Sequence, residues 1–169
     1  ADLAAILEEV SPKASHAALS YAMDIIRPFS AGMGLRISRL GDTYVEMVIP
    51  VRTRNLNERQ TLHEGALVTA ATEAAKMLWM RHAPLGEFSI EVHKMEASFL
   101  KSCAEECRVR MELSETTREM VLSELRERRE VTTEAEIRVF DDKDQAIAEL
   151  RLQLSLQHTP ALNVQSEKE

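Results

Sequence analysis

The sequence predicts an α+β domain in which five or six antiparallel strands wrap around one long helix over residues 64–82. Three observations lead there. Residues 66–82 consist mainly of Ala, Leu, Val and Met with Trp79, apolar nearly all round, as a helix enclosed by a sheet must be. Segments on both sides of it alternate apolar and polar residues with the period of two that marks half-buried strands. The connections between those segments are too short for repeated crossover helices, which argues against a parallel sheet.

Taken in order, residues 2–10 and 14–26 read as helices parted by Ser11-Pro12, a flank over residues 1–27 that precedes the main domain at 28–157. Residues 35–40 and 44–51 form a hairpin around Gly41-Asp42, with Val45, Met47, Ile49 and Val51 alternating, and Pro50 places the end of that strand at a sheet edge. After the long helix, Ala83-Pro84-Leu85-Gly86 is a stop. Phe88, Ile90 and Val92 then share one side of a strand, and residues 97–101 read as a further strand segment. Val109, Met111 and Leu113 alternate with Arg108, Arg110 and Glu112. Thr116 and Glu119 have the spacing of a capping box, opening an inserted surface helix that runs to about residue 129. Ala135, Ile137 and Val139 alternate with charged neighbours, Asp141-Asp142-Lys143-Asp144 turns the chain, and Leu150, Leu152, Leu154 and Leu156 complete a two-strand finish. Residues 158–169 are expected to form a flexible tail.

Composition narrows the class. With 169 residues, 29% of them charged and a formal net charge of -7, the chain fits one compact domain and not a nucleic-acid-binding surface. No apolar run approaches the roughly 20 residues that span a bilayer, and the N-terminus lacks the basic-then-apolar pattern of a signal peptide, so the expectation is a cytoplasmic protein. Cys103 and Cys107 read as two positions of one strand, about 13 Å apart at roughly 3.3 Å per residue, too far for a disulfide; both are expected to be reduced structural thiols. No further paired Cys or His completes a zinc site, and no Walker loop, dinucleotide glycine pattern or serine-nucleophile elbow is present. No cofactor or metal is expected.

The candidate site lies at the mouth of the long helix. Asn57, His63, Glu64 and Gly65 place an amide, an imidazole and a glycine where unpaired backbone N–H groups can polarise a carbonyl oxygen. Along the helix, Thr69, Thr72, Glu73 and Lys76 fall at i, i+3, i+4 and i+7 and so share one narrow face. That stripe either meets water or a symmetry mate, or lines a cavity in which Glu73 acts as acid, base or nucleophile. His63 on its own is read equally as a helix cap. His16 and His93 have no partner in the sequence, Ser89 and Ser98 suit holding a water near a carbonyl as well as facing solvent or bonding backbone, and Asn55 competes with Asn57 as the amide near the carbonyl. Arg52, Arg54 and Arg59 before the helix suit phosphate binding as well as an ordinary solvated loop.

Over roughly residues 28–156 these features resemble the hotdog-fold acyl-CoA thioesterases, in particular the branch related to phenylacetyl-CoA and hydroxybenzoyl-CoA thioesterases. That pattern has an Asn six residues before a His-Gly-Gly that opens the central helix, and an acid about nine residues after the His. Asn57 and His63 match it, with Thr61, Leu62, Gly65, Ala66 and Leu67 around them, and residues 32–37 and 45–51 are similar to the first hairpin. Two positions depart from it: Glu64 stands for the first Gly, and Thr72 stands where the acid is expected, with Glu73 one residue later. An apolar helix covered by one thin sheet leaves surface for a twofold partner, so a homodimer or a tetramer is expected, and the resemblance implies sites between subunits. It also implies an acyl-CoA or acyl-carrier thioester as substrate. In that reading Glu73, His63 and Asn57 are catalytic, and Glu64, Gly65, Thr69, Thr72 and Ser98 bind substrate. Met77, Met80, Phe88 and Phe99 suggest an adaptable apolar tunnel for medium to long acyl or aryl-acyl groups. The alternative is a non-catalytic acyl-CoA or lipid-binding protein of the same fold.

Overall fold

The computed structural model describes residues 30–82 and 88–158. Among these residues six strands form one antiparallel sheet: β1 (Arg36–Leu40), β2 (Tyr44–Ile49), β3 (Phe88–Phe99), β4 (Cys107–Glu112), β5 (Glu130–Phe140) and β6 (Ala146–His158). Their spatial order is β1-β2-β4-β5-β6-β3, so β1 and β3 are the edges. The helix α1 (Glu64–Met80) leaves β2 through a short 3-10 turn at Thr53–Asn55 and packs across the sheet, and α2 (Glu115–Arg128) joins β4 to β5. The expected N-terminal helices, the stop at residues 83–86 and the tail beyond residue 158 lie outside the described residues.

Why α1 sits inside the sheet follows from its side chains. Ala66, Ala70, Ala71, Ala74 and Ala75 are all fully buried and small enough to bring the helix backbone close to Val45, Met47, Val109, Met111, Ile137 and Val139, while Leu78 and Trp79 fill the space at its far end. Its remaining face, marked by Val68, Thr69, Thr72, Lys76 and Met80, is only half-buried. Val121 and Leu125 anchor α2 to the same core.

Several expectations need correction. α2 is capped by Ser114, whose hydroxyl accepts from the Thr117 amide at 3.0 Å, two residues before the expected capping-box position. The strand preceding Pro50 is internal, flanked by β1 and β4; Pro50 ends it, because a ring in place of an N–H cannot continue the ladder. The two segments expected around residues 88–92 and 97–101 are one strand. A bulge at His93 explains the misreading: Phe88, Ile90 and Val92 pair with His158, Leu156 and Leu154, and after the bulge it is Met95, Ala97 and Phe99 that share that face, opposite Leu152, Leu150 and Ala148. One extra residue reverses the parity, so a strict period of two breaks there.

The cysteines also differ from expectation. β4 begins at Cys107, and residues 100–106 form a loop in which Cys103 folds back, so the two Sγ atoms lie 3.0 Å apart instead of at strand spacing. Both are free thiols and both are buried.

On the opposite face of the sheet, Glu46 is only 7% exposed. It accepts from Arg110 Nε at 2.6 Å, Ser38 Oγ at 2.7 Å and Tyr44 Oη at 3.2 Å. Burial pushes its carboxyl up, but the hydrogen bonds from Arg110 and Ser38 and the Arg110 charge more than reverse this, leaving it below its ordinary value of 4.5.

Candidate functional site

The mouth of α1 is assembled by the residues just before it. His63 is the N-cap: its Nδ1 accepts from the Ala66 amide at 2.9 Å, and its Nε2 contacts the Arg54 carbonyl at 3.0 Å. A ring nitrogen that accepts from an amide carries no proton, so Nε2 is the protonated one and donates; the geometry selects the neutral Nε2–H tautomer. Both ring nitrogens are therefore occupied in positioning, which leaves no lone pair for taking a proton from water.

Gly65 makes this possible. A Cβ built there would lie 3.1 Å from His63 Nδ1, against the ring as it folds back over the first turn. The loop behind is closed by the Leu56–Leu62 bridge and by the His63 amide donating to the Asn55 carbonyl at 2.9 Å.

Asn57 is committed to the same loop. Its Oδ1 accepts from the amides of Arg59 at 3.0 Å and Thr61 at 3.1 Å, and its Nδ2 donates to Thr61 Oγ1 at 2.8 Å. It thus shapes the turn through Gln60, which has φ of +59°, and its amide is directed into the loop. Asn55, the competing amide, is fully buried and donates to the carbonyls of Met33 at 2.9 Å and Pro50 at 2.8 Å. It pins the glycine-rich segment before β1 to the start of this loop, a role that the sequence pattern does not carry because the partner is 22 residues away.

What the mouth offers is two backbone donors. Within the first turn, the Ala66 and Leu67 amides bond back to His63, whereas the amides of Glu64 and Gly65 have no acceptor among the described residues. Both residues are exposed. Two adjacent N–H groups at the positive end of a 17-residue helix can hold a developing negative charge on oxygen.

The other expected side chains are distributed along and around α1. Thr69, Thr72 and Lys76 lie on its half-buried open face, and Glu73 is turned toward the interior, 6% exposed. Glu73 is nine residues beyond Glu64, roughly 14 Å along the axis at 1.5 Å per residue, farther than its side chain reaches. Ser98 is not brought to the mouth. It pairs with Glu149, which in turn pairs with Arg138, all three exposed and alternating with buried Leu150 and Ile137; Ser98 therefore faces outward from the sheet, in a cleft of roughly 340 Å³ lined by Glu96, Glu136, Arg138, Glu149 and Arg151. Those charges pair with one another, as Arg151 does with Glu136 at 3.1 Å.

The apolar residues expected to line one tunnel are likewise separated. Phe88 packs on His158 with ring centroids 4.4 Å apart, while Phe99 is at the opposite end of β3, roughly 36 Å away at about 3.3 Å per residue. Phe99 and Leu100 are 44% and 55% exposed. Among the described residues, no group of three His, Cys, Asp or Glu side chains is placed to hold a metal ion, and no helix is long and apolar enough to cross a membrane.

Residues 15–156 match the family described as a domain of unknown function, DUF4442, and the chain belongs to that family. No curated protein matches it. Among solved structures, a Pseudomonas aeruginosa protein of unknown function, described as a probable thioesterase, superposes with a TM-score of 0.74 at 22% identity, over 85% of this chain and 96% of that one. A thioesterase from Haemophilus influenzae gives a TM-score of 0.66 at 16% identity, over 85% and 90% of the two chains. A mutant thioesterase from Pseudomonas aeruginosa gives 0.67 at 16%, over 85% and 94%. The chain shares its fold, a hotdog, with these solved structures.

Proposed function

We propose that the chain hydrolyses acyl thioesters of coenzyme A or an acyl carrier at a site formed between two copies of itself. The observation that carries this reading is the pair of N–H groups on Glu64 and Gly65, which find no acceptor among the described residues and are held in place by the locked His63 ring. A thioester carbonyl seated there develops its negative charge against two fixed donors as water adds, and thiolate then leaves.

The acid comes from elsewhere. Glu73 is too far along α1 to serve the mouth of its own helix, so the reading requires the helix of a twofold-related copy, running the other way, to bring its Glu73 to that mouth. Two features support such a dimer. Among the described residues β3 is a 12-residue edge strand with an open ladder, and the open face of α1 and the apolar side of β3, with Met95, Ala97 and Phe99, leave surface for a second copy to cover. In this arrangement Glu73 swings out from the interior of its own subunit to activate water or attack the carbonyl, Thr69 and Thr72 line the approach, and the acyl group rests on the β3 side chains. His63 and Asn57 act by holding the mouth in shape.

A second reading keeps the pocket without the chemistry. It is favoured by the burial of Glu73 beside half-exposed Thr72, which leaves a hydroxyl where a carboxylate would face the partner. Thiol release from a panel of acyl-CoAs, followed with a thiol-reactive dye, separates the two. Turnover that saturates with medium to long acyl or aryl-acyl groups supports hydrolysis; binding by calorimetry without thiol release supports the second reading.

A further inference from the structure

The Cys103 and Cys107 pair stands apart from the candidate site chemistry. Cys107 Sγ donates to Cys103 Sγ at 3.0 Å, and both thiols lie near the Glu105 carbonyl, at 3.5 Å from Cys103 and 3.4 Å from Cys107. Closing that gap to the bonded distance of about 2.05 Å needs a movement of only about 1 Å. The two ends differ in mobility and access. Cys107 is the first residue of β4, paired with Ile49 and 0% exposed, whereas Cys103 lies in a loop and is 8% exposed. Burial, with the neighbouring Cys103 sulfur and the carboxylates of Asp141 and Glu105, pushes the Cys107 thiol up, so it stays protonated.

We propose that Cys103 and Cys107 form a dithiol that closes to an intrachain disulfide on reaction with a small hydroperoxide such as hydrogen peroxide. Cys103, after losing its proton to solvent, attacks one peroxide oxygen; the O–O bond breaks, hydroxide leaves and is protonated to water, and Cys103 becomes a sulfenic acid. Cys107 sulfur then attacks Cys103 sulfur. The S–O bond breaks, and the departing hydroxide takes the Cys107 proton as a second water. Two thiols are oxidised and one peroxide is reduced to two waters.

The closure is transmitted to the mouth of α1. The Leu62 amide donates to the Cys103 carbonyl at 2.7 Å, and Leu62 immediately precedes the His63 cap. Drawing Cys103 toward β4 strains that bond, so the oxidised chain has a looser loop before α1. This inference does not depend on thioester hydrolysis.

The test uses the full chain, reduced and then treated with hydrogen peroxide, with remaining thiols alkylated under denaturing conditions before intact mass measurement. The expected product carries no alkyl group, is lighter by the mass of two hydrogens, remains a single chain on a non-reducing gel, and recovers both thiols with dithiothreitol. In Cys107→Ser, Cys103 should give a sulfenic acid trapped by dimedone; in Cys103→Ser, Cys107 should stay unreacted. Amide exchange at Leu62 should rise on oxidation. Two alkylatable thiols after peroxide, disulfides between chains, equal reactivity of Cys107 in Cys103→Ser, or unchanged exchange at Leu62 in the oxidised wild type would each overturn the proposal as stated.

Discussion

His63 donates from Nε2 to the Arg54 carbonyl at 3.0 Å while its other nitrogen caps α1, so one side chain ties the arginine-bearing loop to the helix mouth. Replacing it by alanine should cost about 1 kcal/mol of stability for the lost cap and lower turnover by about 10²-fold through displacement of the Glu64 and Gly65 donors. His63→Asn restores a capping oxygen but not the bond to Arg54. Its denaturation midpoint should return toward wild type while kcat remains low. Recovery of both together would mean that the loop tie is irrelevant to turnover.

Glu73→Gln preserves the shape of a buried side chain and removes its charge. Turnover should fall by about 10²–10⁴-fold, the usual contribution of a proton-transferring group, with acyl-CoA affinity within about twofold of wild type. An unchanged rate would assign Glu73 a structural role and move the chemistry to a water held near Thr72.

The β3 edge should be the dimer seam. Sedimentation of the wild-type chain is expected to give twice the chain mass, and Phe99→Asp, placing a charge where an apolar ring is 44% exposed, should shift it to monomer with loss of turnover. A variant that stays dimeric and active would put the seam elsewhere.

Acid stability should depend on Glu46. Its folded-state carboxyl titrates below the ordinary 4.5, so the ionised form adds stability that is fully present above that value and is lost as pH falls through the lower folded value. Glu46→Gln should cost about 1–2 kcal/mol near neutrality, where Arg110 loses a charged partner, and should flatten the stability profile below about pH 4.5. Urea midpoints across pH measure both; an unaltered acid limb would show that other carboxylates set it.

α1 and most of the strands are legible in the sequence, because burial on a regular helix or strand leaves a local period: the alanines of residues 66–75, and the alternation through residues 135–139 and 150–156, record which faces meet the core. The helix mouth was legible for the same reason, since a cap and its glycine are neighbours in sequence. Irregular backbone and distant pairing were decided only by the tertiary structure. The bulge at His93 reverses the faces of β3, and Ser98 turns outward because of the cross-strand register that follows. Asn55 is occupied by carbonyls 22 and 5 residues away. Cys103 meets Cys107 because a loop, not a strand, joins them. None of these leaves a period along the chain, because each depends on a single break in regularity or on a contact closed through space.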